Sequence, residues 1–345
     1  MNLKSDTAKL VSNKEEWNAL VDNDTIVYAT WEWGTVCERF GHDRYYIGIE
    51  RDGELVAGLP CMYSGSRLFG RELVSMPYSP YGAVLADSNH DKDSLVDALT
   101  TLADDLGVTA CVRGQSVDSK RVQPKNRFVT FEVDLSGDET QVWENVVESR
   151  FRRSVRKSRK ENVRVEKGFD EKTLSKYYEM YLDNMQYHGT PPYSKEFFRN
   201  VNELLGERDA FEIYLTYNEA GEPINGVTVF FHGSRAIYWT GVSDHEYRDL
   251  NGGSRLLWRA IADSCERGYE TFDLGRTRED TGVYNYKKSI GDPIDLTDSY
   301  YSPVGEVSLT NPEDEKYDKY KKAWRKIPTP VTEYVGPYLR KRLTM

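Results

Sequence analysis

The side chains best suited to chemistry gather between Phe272 and Gly291, in the stretch FDLGRTREDTGVYNYKKSIG. Phe272 and Leu274 alternate with Asp273 as at a strand end, and Gly275 breaks the strand directly afterwards. Tyr284, Tyr286 and Lys287 then bring two aromatic rings and an amine together ahead of Gly291. A strand that ends in a Gly-Arg turn and returns through an aromatic-lysine segment lines a cleft. The plainer alternative is a solvated loop carrying one lysine.

Two further stretches suit anions. From Arg150 to Lys160, RFRRSVRKSRK, seven of eleven residues are cationic in a chain of net charge -10. On a helix, Arg153, Arg156, Lys157 and Lys160 share a face while Phe151, Val155 and Ser158 turn inward. This local positive field suits a nucleotide diphosphate, a pyrophosphate-linked carrier, coenzyme A or tRNA, although charge runs are often only solvated faces. The second stretch, Arg248-Asp-Leu-Asn-Gly-Gly253, stands between a strand and a helix. There the helix N-terminus offers backbone N–H groups to an anion. A loop from Ser75 to Gly82, rich in Pro, Gly and Tyr, cannot be strand interior. Its Tyr78 and Tyr81 fit either a substrate-contact surface or a packed crossover.

The elements that must position these residues are duplicated. Tyr46 to Arg67, YIGIERDGELVAGLPCMYSGSR, aligns without gaps to Tyr214 to Arg235, YLTYNEAGEPINGVTVFFHGSR. The offset is constant, as 221 − 53 = 168 and 235 − 67 = 168 show. Each copy reads as strand, turn at Gly53 or Gly221, strand, and a second turn at Gly65 or Gly233. A helix follows in each half, near 92–106 and 254–267, ending at Gly107 or Gly268 and running into a short apolar strand. The fold class expected is therefore α+β, with two similar domains in tandem. A helix with an aromatic face is expected over 25–40, an alternating strand over 128–135, and a helix over 139–148 leading into the basic run.

Composition bounds the rest. At 345 residues, with 39% hydrophobic and 12% aromatic content, the chain suits two domains with real cores. Its acidity argues against a global nucleic-acid binder, DNA in particular. Cys37, Cys61, Cys111 and Cys265 are scattered without CxxC pairs or nearby histidines, so reduced core thiols are expected and no metal site. The first residues hold no apolar targeting core, and no run of eighteen apolar residues occurs. The expected location is the cytoplasm, with the inner face of the membrane as a second option.

Together, the duplicated unit, the Arg-x-x-x-Gly-Gly loop, the FDLGR strand end and the Tyr-Lys287-x-x-x-Gly291 segment resemble tandem GNAT folds. Specifically they resemble the FemAB-like acyltransferase family, and the segment from Trp324 through Gly336-Pro-Tyr-Leu-Arg340 resembles the tail of its exopolysaccharide-associated members. The resemblance implies GNAT-like domains at 1–148 and 149–306, each a mixed or antiparallel sheet flanked by helices, the second carrying the cleft. It implies a tail, 307–345, that packs back on the first domain. It implies transfer of an acyl or aminoacyl group to an amine on a cell-envelope, polysaccharide or peptide precursor, with acyl-CoA or aminoacyl-tRNA as co-substrate. The acceptor would be a small molecule or a lipid-linked sugar or peptide, and a basic chain end could rest on an anionic membrane.

The residue roles follow from the same resemblance. Lys287 matches the family's lysine beside the reacting carbonyl, where a fixed cation stabilises a tetrahedral oxyanion. Asp273 and Glu279 are candidate proton acceptors. Arg152, Arg153, Arg156, Lys157 and Arg276 would hold phosphates, and Tyr284, Tyr286, Tyr78 and Tyr81 would contact substrate. Arg248, Asn251, Gly252 and Gly253 match the donor-binding loop, with Asn251 where the motif prefers glycine. A related enzyme that depends on aminoacyl-tRNA and a non-catalytic GNAT-like scaffold are the alternatives.

Overall fold

In a computed structural model the described residues are 8–21, 25–66, 70–206, 209–279, 281–307 and 315–343. The chain forms two compact units. One spans 1–129, 295–310 and 341–345, and the other 130–294 and 311–340.

In the first unit, β1 (Ala8–Val11) pairs antiparallel with β3 (Tyr46–Arg51), which pairs with β4 (Glu54–Leu59). β2 (Asp43–Arg44), β5 (Met62–Ser66), β6 (Gly70–Val74) and β7 (Thr109–Val112) belong to a second sheet. α1 (Lys14–Leu20) is capped by Asn13, and α3 (Asn89–Leu106) packs on β3 and β4. Their core joins Ile47, Ile49, Leu59, Leu95, Leu99 and Leu102. The helix expected over 25–40 is interrupted. Val27–Ala29 is a 3-10 turn, and Thr30 is extended and caps α2 (Trp31–Phe40), its hydroxyl accepting from the Trp33 N–H at 3.3 Å. Trp33 is fully buried, as an aromatic core face requires.

In the second unit, the end of β8 (Gln123–Asp134) pairs with β13 (Thr271–Asp273), and the order continues through β12 (Arg235–Ser243), β11 (Pro223–His232), β10 (Phe211–Tyr217) and β9 (Arg164–Gly168). The helix expected over 139–148 is one turn, α4 (Glu139–Gln141), and a π-turn, Val142–Val146. Val147 and Glu148 are extended, and α5 (Ser149–Lys160) starts afresh. α6 (Glu171–His188) and α7 (Lys195–Leu205) bury Tyr177, Tyr181, Phe197 and Phe198, and Trp239 of β12 packs against both phenylalanines. α8 (Gly252–Glu266) covers β10 and β11. α9 (Gly282–Lys288) is capped by Thr281. The Ser299–Tyr301 end of β14 (Asp292–Tyr301) belongs to the first unit and pairs there antiparallel with β7. Of the tail, α10 (Glu315–Trp324) and α11 (Thr329–Arg340) group with the second unit. There α11 packs on α6, with Gly336 against Pro192.

The duplication is visible as two antiparallel hairpins, β3–β4 and β10–β11, whose turn glycines Gly53 and Gly221 have φ of 86° and 84°. The copies then diverge for a physical reason. Thr228 lies inside the continuous strand β11, whereas its counterpart Pro60 (228 − 168 = 60) has no N–H to donate. β4 therefore stops at Leu59, and β5 starts at Met62 in the other sheet.

Candidate active site

The site lies where two parallel strands part. β12 and β13 pair only through Arg235–Ile237 and Thr271–Asp273, yet β12 runs on to Ser243. β13 instead ends, and Gly275 turns the chain away with φ of 71°. A Cβ at Gly275 would stand 3.0 Å from the Tyr238 carbonyl oxygen, so the close approach and the left-handed backbone both require glycine.

Lys287 reaches into this corner from α9. The residue is 8% exposed, and its Nζ donates to the carbonyls of Gly275 at 2.7 Å and Arg276 at 3.3 Å. The Tyr238 ring centroid is 5.7 Å from Nζ. Burial pulls the ammonium down to about 8, and the Asp273 carboxylate opposes that fall. The lysine is thus buried and oriented. It is not a solvated surface amine.

Asp273 is fully buried, and its Oδ1 accepts from Thr130 Oγ1 and from the Gly275 N–H, each at 2.6 Å. That places it behind the turn as a fixed counter-charge to Lys287 and a clamp on Gly275. Glu279 stands on an exposed turn and bonds neither Lys287 nor Asp273. Tyr284 packs edge-on against Phe131 with ring centroids 5.1 Å apart.

Tyr286 ties the lysine helix to the glycine loop, for its hydroxyl lies 3.2 Å from Ser254 Oγ on the first turn of α8. The loop before α8 keeps the shape its sequence suggests. Asn251 takes the left-handed conformation, φ 52°, that the motif's glycine would take, and asparagine tolerates it best after glycine. Gly252 is sterically required, because an added Cβ would lie 2.2 Å from Asn225 Oδ1. Gly253 is not, its nearest neighbour lying 3.7 Å away. Arg248 is exposed and bonds His245.

The basic run behaves as its pattern predicts, with one exception. Phe151, Val155 and Ser158 are buried, while Arg153, Arg156, Lys157 and Lys160 face outward. Arg152 departs from its expected phosphate role. Its Nη1 donates to the carbonyls of Trp143, Glu144 and Val147 at 2.8, 2.8 and 2.7 Å, closing the π-turn. Tyr78 and Tyr81 lie in the first unit and are packed. Tyr78 bonds His42 at 2.5 Å, and Tyr81 meets Tyr28 edge-on at 6.3 Å. Ser254 and Tyr238 carried no sequence signal of their own beyond adjacency to Gly253 and to an apolar strand. Among the described residues no group of three or more His, Cys, Asp or Glu could hold a metal ion, and the four cysteines are free.

Residues 148–288 match the family of the acetyltransferase (GNAT) domain. No curated protein sequence matches the chain. Among solved structures, FemX aligns over 91% of this chain and 99% of its own, with TM-score 0.63 and 15% identity. L-PGS from Bacillus licheniformis aligns over 96% and 98%, with TM-score 0.57 and 10% identity. A tandem GNAT protein from the clavulanic acid biosynthesis pathway aligns over 85% and 95%, with TM-score 0.53 and 11% identity. At these identities the likeness is one of fold, and it bears out the α+β class with two tandem GNAT-like units.

Proposed function

We propose that this chain is an acyltransferase of the GNAT type, which transfers an acyl or aminoacyl group from acyl-CoA or aminoacyl-tRNA to an amine on a cell-envelope, polysaccharide or peptide precursor; the GNAT match over residues 148–288 and the FemX-like fold support this reading. The observation that carries this reading is the buried ammonium of Lys287 at the parting of β12 and β13.

The chemistry balances without a metal. The acceptor's neutral amine adds its lone pair to the donor's thioester or ester carbonyl, and the carbonyl π electrons move onto oxygen. Lys287 Nζ, held on two backbone carbonyls, offers its remaining proton to that oxyanion in a corner poor in water. Collapse re-forms the carbonyl and expels the thiolate or alkoxide, which takes up the proton lost by the amine. The first turn of α8, with Gly252 and Gly253, would hold donor phosphate. Asp273 keeps Lys287 charged and Gly275 in place.

Lys287→Ala is expected to lower turnover by a factor on the order of 10² to 10³ while leaving donor binding in place. Donor panels of acyl-CoA and charged tRNA, with mass shifts read on acceptors, measure this, and a variant as active as the parent would sink the assignment. The basic face of α5 favours tRNA as donor. A log–log salt slope of several units in tRNA binding is then expected, and a flat response would exclude it.

A lipid-linked acceptor is supported by α11, where Val331, Tyr334, Val335 and Tyr338 are exposed at helical spacing. No described helix is long and apolar enough to cross a membrane. Sedimentation with anionic vesicles, lost in Tyr334→Ser/Tyr338→Ser, tests the contact.

A further inference from the structure

The strand that walls the lysine corner carries one residue too many. Along β11 and β12, Thr228 opposes Thr240 and Val229 opposes Tyr238, which leaves Trp239 as the extra residue of a bulge. Next to it, the Tyr238 ring centroid lies 5.7 Å from Lys287 Nζ, and the Tyr238 carbonyl backs onto the Gly275 turn. Side chains alternate faces along a strand. Drawing the bulge back into the ladder would slip one side of β12 by a residue and carry the Tyr238 ring away from the lysine.

Two sets of contacts hold the bulge. In the first, Thr228 Oγ1 lies 2.7 Å from Thr240 Oγ1, which lies 2.8 Å from the Tyr177 hydroxyl of α6. The second is an aromatic stack. Trp239 lies within 17° of parallel to Tyr193, and Tyr193 within 21° of Phe197, with centroids 6.3 and 4.7 Å apart. Tyr193 is buried in the loop between α6 and α7, where its N–H donates to Tyr181 and its carbonyl accepts from Tyr178, each at 3.1 Å. The tail closes around this loop. Gln186 donates to the Ile327 carbonyl and accepts from the Thr329 hydroxyl, each at 2.7 Å, and a Cβ at Gly336 would run into the Pro192 ring. Arg340 Nη2 donates to the Tyr193 hydroxyl at 3.0 Å, with its guanidinium carbon 4.7 Å from that ring's centroid.

We propose that Arg340 and Tyr193 are positioning residues for the Lys287 corner. The end of α11 presses Tyr193 onto Trp239, which fixes the bulge and with it the wall that Tyr238 presents to the ammonium. A hydrogen bond and a cation–π contact from one guanidinium fix both the tilt and the place of the Tyr193 ring. The two sides of α11 then serve different ends. Thr332 and Gly336 are buried four residues apart, and Arg340 continues that row, whereas Val331, Tyr334, Val335 and Tyr338 are exposed. The consequence for rate rests on the proposed role of Lys287. The consequence for the Lys287 amine does not.

The amine is therefore read directly. Trace acetic anhydride acylates each lysine according to its free-amine fraction and its access to solvent, and peptide mass spectrometry of the full chain isolates Lys287 across a pH series. In the parent, labelling of Lys287 is expected to be slow, with a midpoint of about 8. Arg340→Gln and Tyr193→Ala are expected to raise its limiting rate at high pH by roughly fivefold or more. In both, the midpoint moves up toward the ordinary lysine value of 10.5 as water enters the corner. Tyr193→Phe keeps the ring on Trp239 and is expected to stay within about twofold of the parent. Ile213→Val, which trims a buried side chain of β10, controls for lost stability and is expected to leave Lys287 unchanged. With the donor panel, kcat should fall by roughly fivefold or more in Arg340→Gln while donor KM is nearly kept. Should Tyr193→Ala fail to fold, Arg340→Gln carries the test. Labelling of Lys287 unchanged in Arg340→Gln, or raised as much in Ile213→Val, would overturn the proposal. A changed amine beside an unchanged kcat upholds the positioning and counts against Lys287 in transfer, so the two readings fail separately.

Discussion

Lys287 Nζ donates to the carbonyl of Gly275 at 2.7 Å, across a turn that Asp273 clamps from behind. The ammonium is thereby aimed by backbone groups, while burial lowers its pKa to about 8. If that charged form serves an oxyanion, the rate must fall as pH rises through about 8, with a slope approaching one decade per pH step. Lys287→Arg, charged at all accessible pH, is expected to lose this descending limb while keeping part of the activity. A limb that persists unchanged in Lys287→Arg would assign it to another group. The profile of kcat/KM from pH 6 to 10 decides.

The two glycines that open α8 make unequal predictions. A Cβ at Gly252 meets Asn225 Oδ1 at 2.2 Å and Ile224 Cδ1 at 3.0 Å, so Gly252→Ala pushes the helix off the sheet. A loss of roughly 1–3 kcal/mol is expected, with weakened donor binding. Gly253→Ala meets nothing closer than 3.7 Å and gains helix propensity, so stability should hold or rise slightly. Urea unfolding of the pair, with donor affinity measured beside it, separates steric need from motif likeness. Equal loss in both would refute the geometry.

Much of this was legible in the sequence because repeats and helix stops are local signals. The 168-residue offset, the αL stop at Gly107 and the inward face of α5 all follow from spacing alone. What escaped was decided at a distance. Thr30 splits the helix expected over 25–40 because its hydroxyl caps α2, and Pro60 sends one repeat's strand into another sheet. Arg152 looks like its basic neighbours in sequence. Only the π-turn beneath it shows that its guanidinium is engaged.

Gly275 offers a sharper probe of the turn than the lysine itself. Its φ of 71° strains any L side chain, and a Cβ there, 3.0 Å from the Tyr238 carbonyl oxygen, would push that oxygen aside. Gly275→Ala is expected to cost roughly 1–3 kcal/mol and to displace the acceptor that orients Lys287. Activity should then fall more than donor affinity, a kcat effect with KM nearly kept. Steady-state kinetics on the folded variant measure it, and an unchanged kcat would mean that the turn does not position the ammonium.

The buried ammonium must also weaken the fold, and the sign of that effect is testable. The ordinary value for lysine is 10.5, whereas in the folded chain Lys287 sits at about 8. Below about 8 the amine is charged in both states, so the native state bears the full cost of burying it. Between 8 and 10.5 only the unfolded chain holds the proton, so stability contributed at this position rises with pH across that window. The fall corresponds to roughly 3 kcal/mol, from which the two lost Nζ hydrogen bonds subtract in any variant. Lys287→Met is therefore expected to be more stable than the parent at pH 7 by about 1–2 kcal/mol, and inactive. Its advantage should shrink as pH approaches 10. Urea unfolding at pH 7, 9 and 10 follows the difference, and a variant less stable than the parent at pH 7 would show that Lys287 is held by its contacts more than it is strained by its charge.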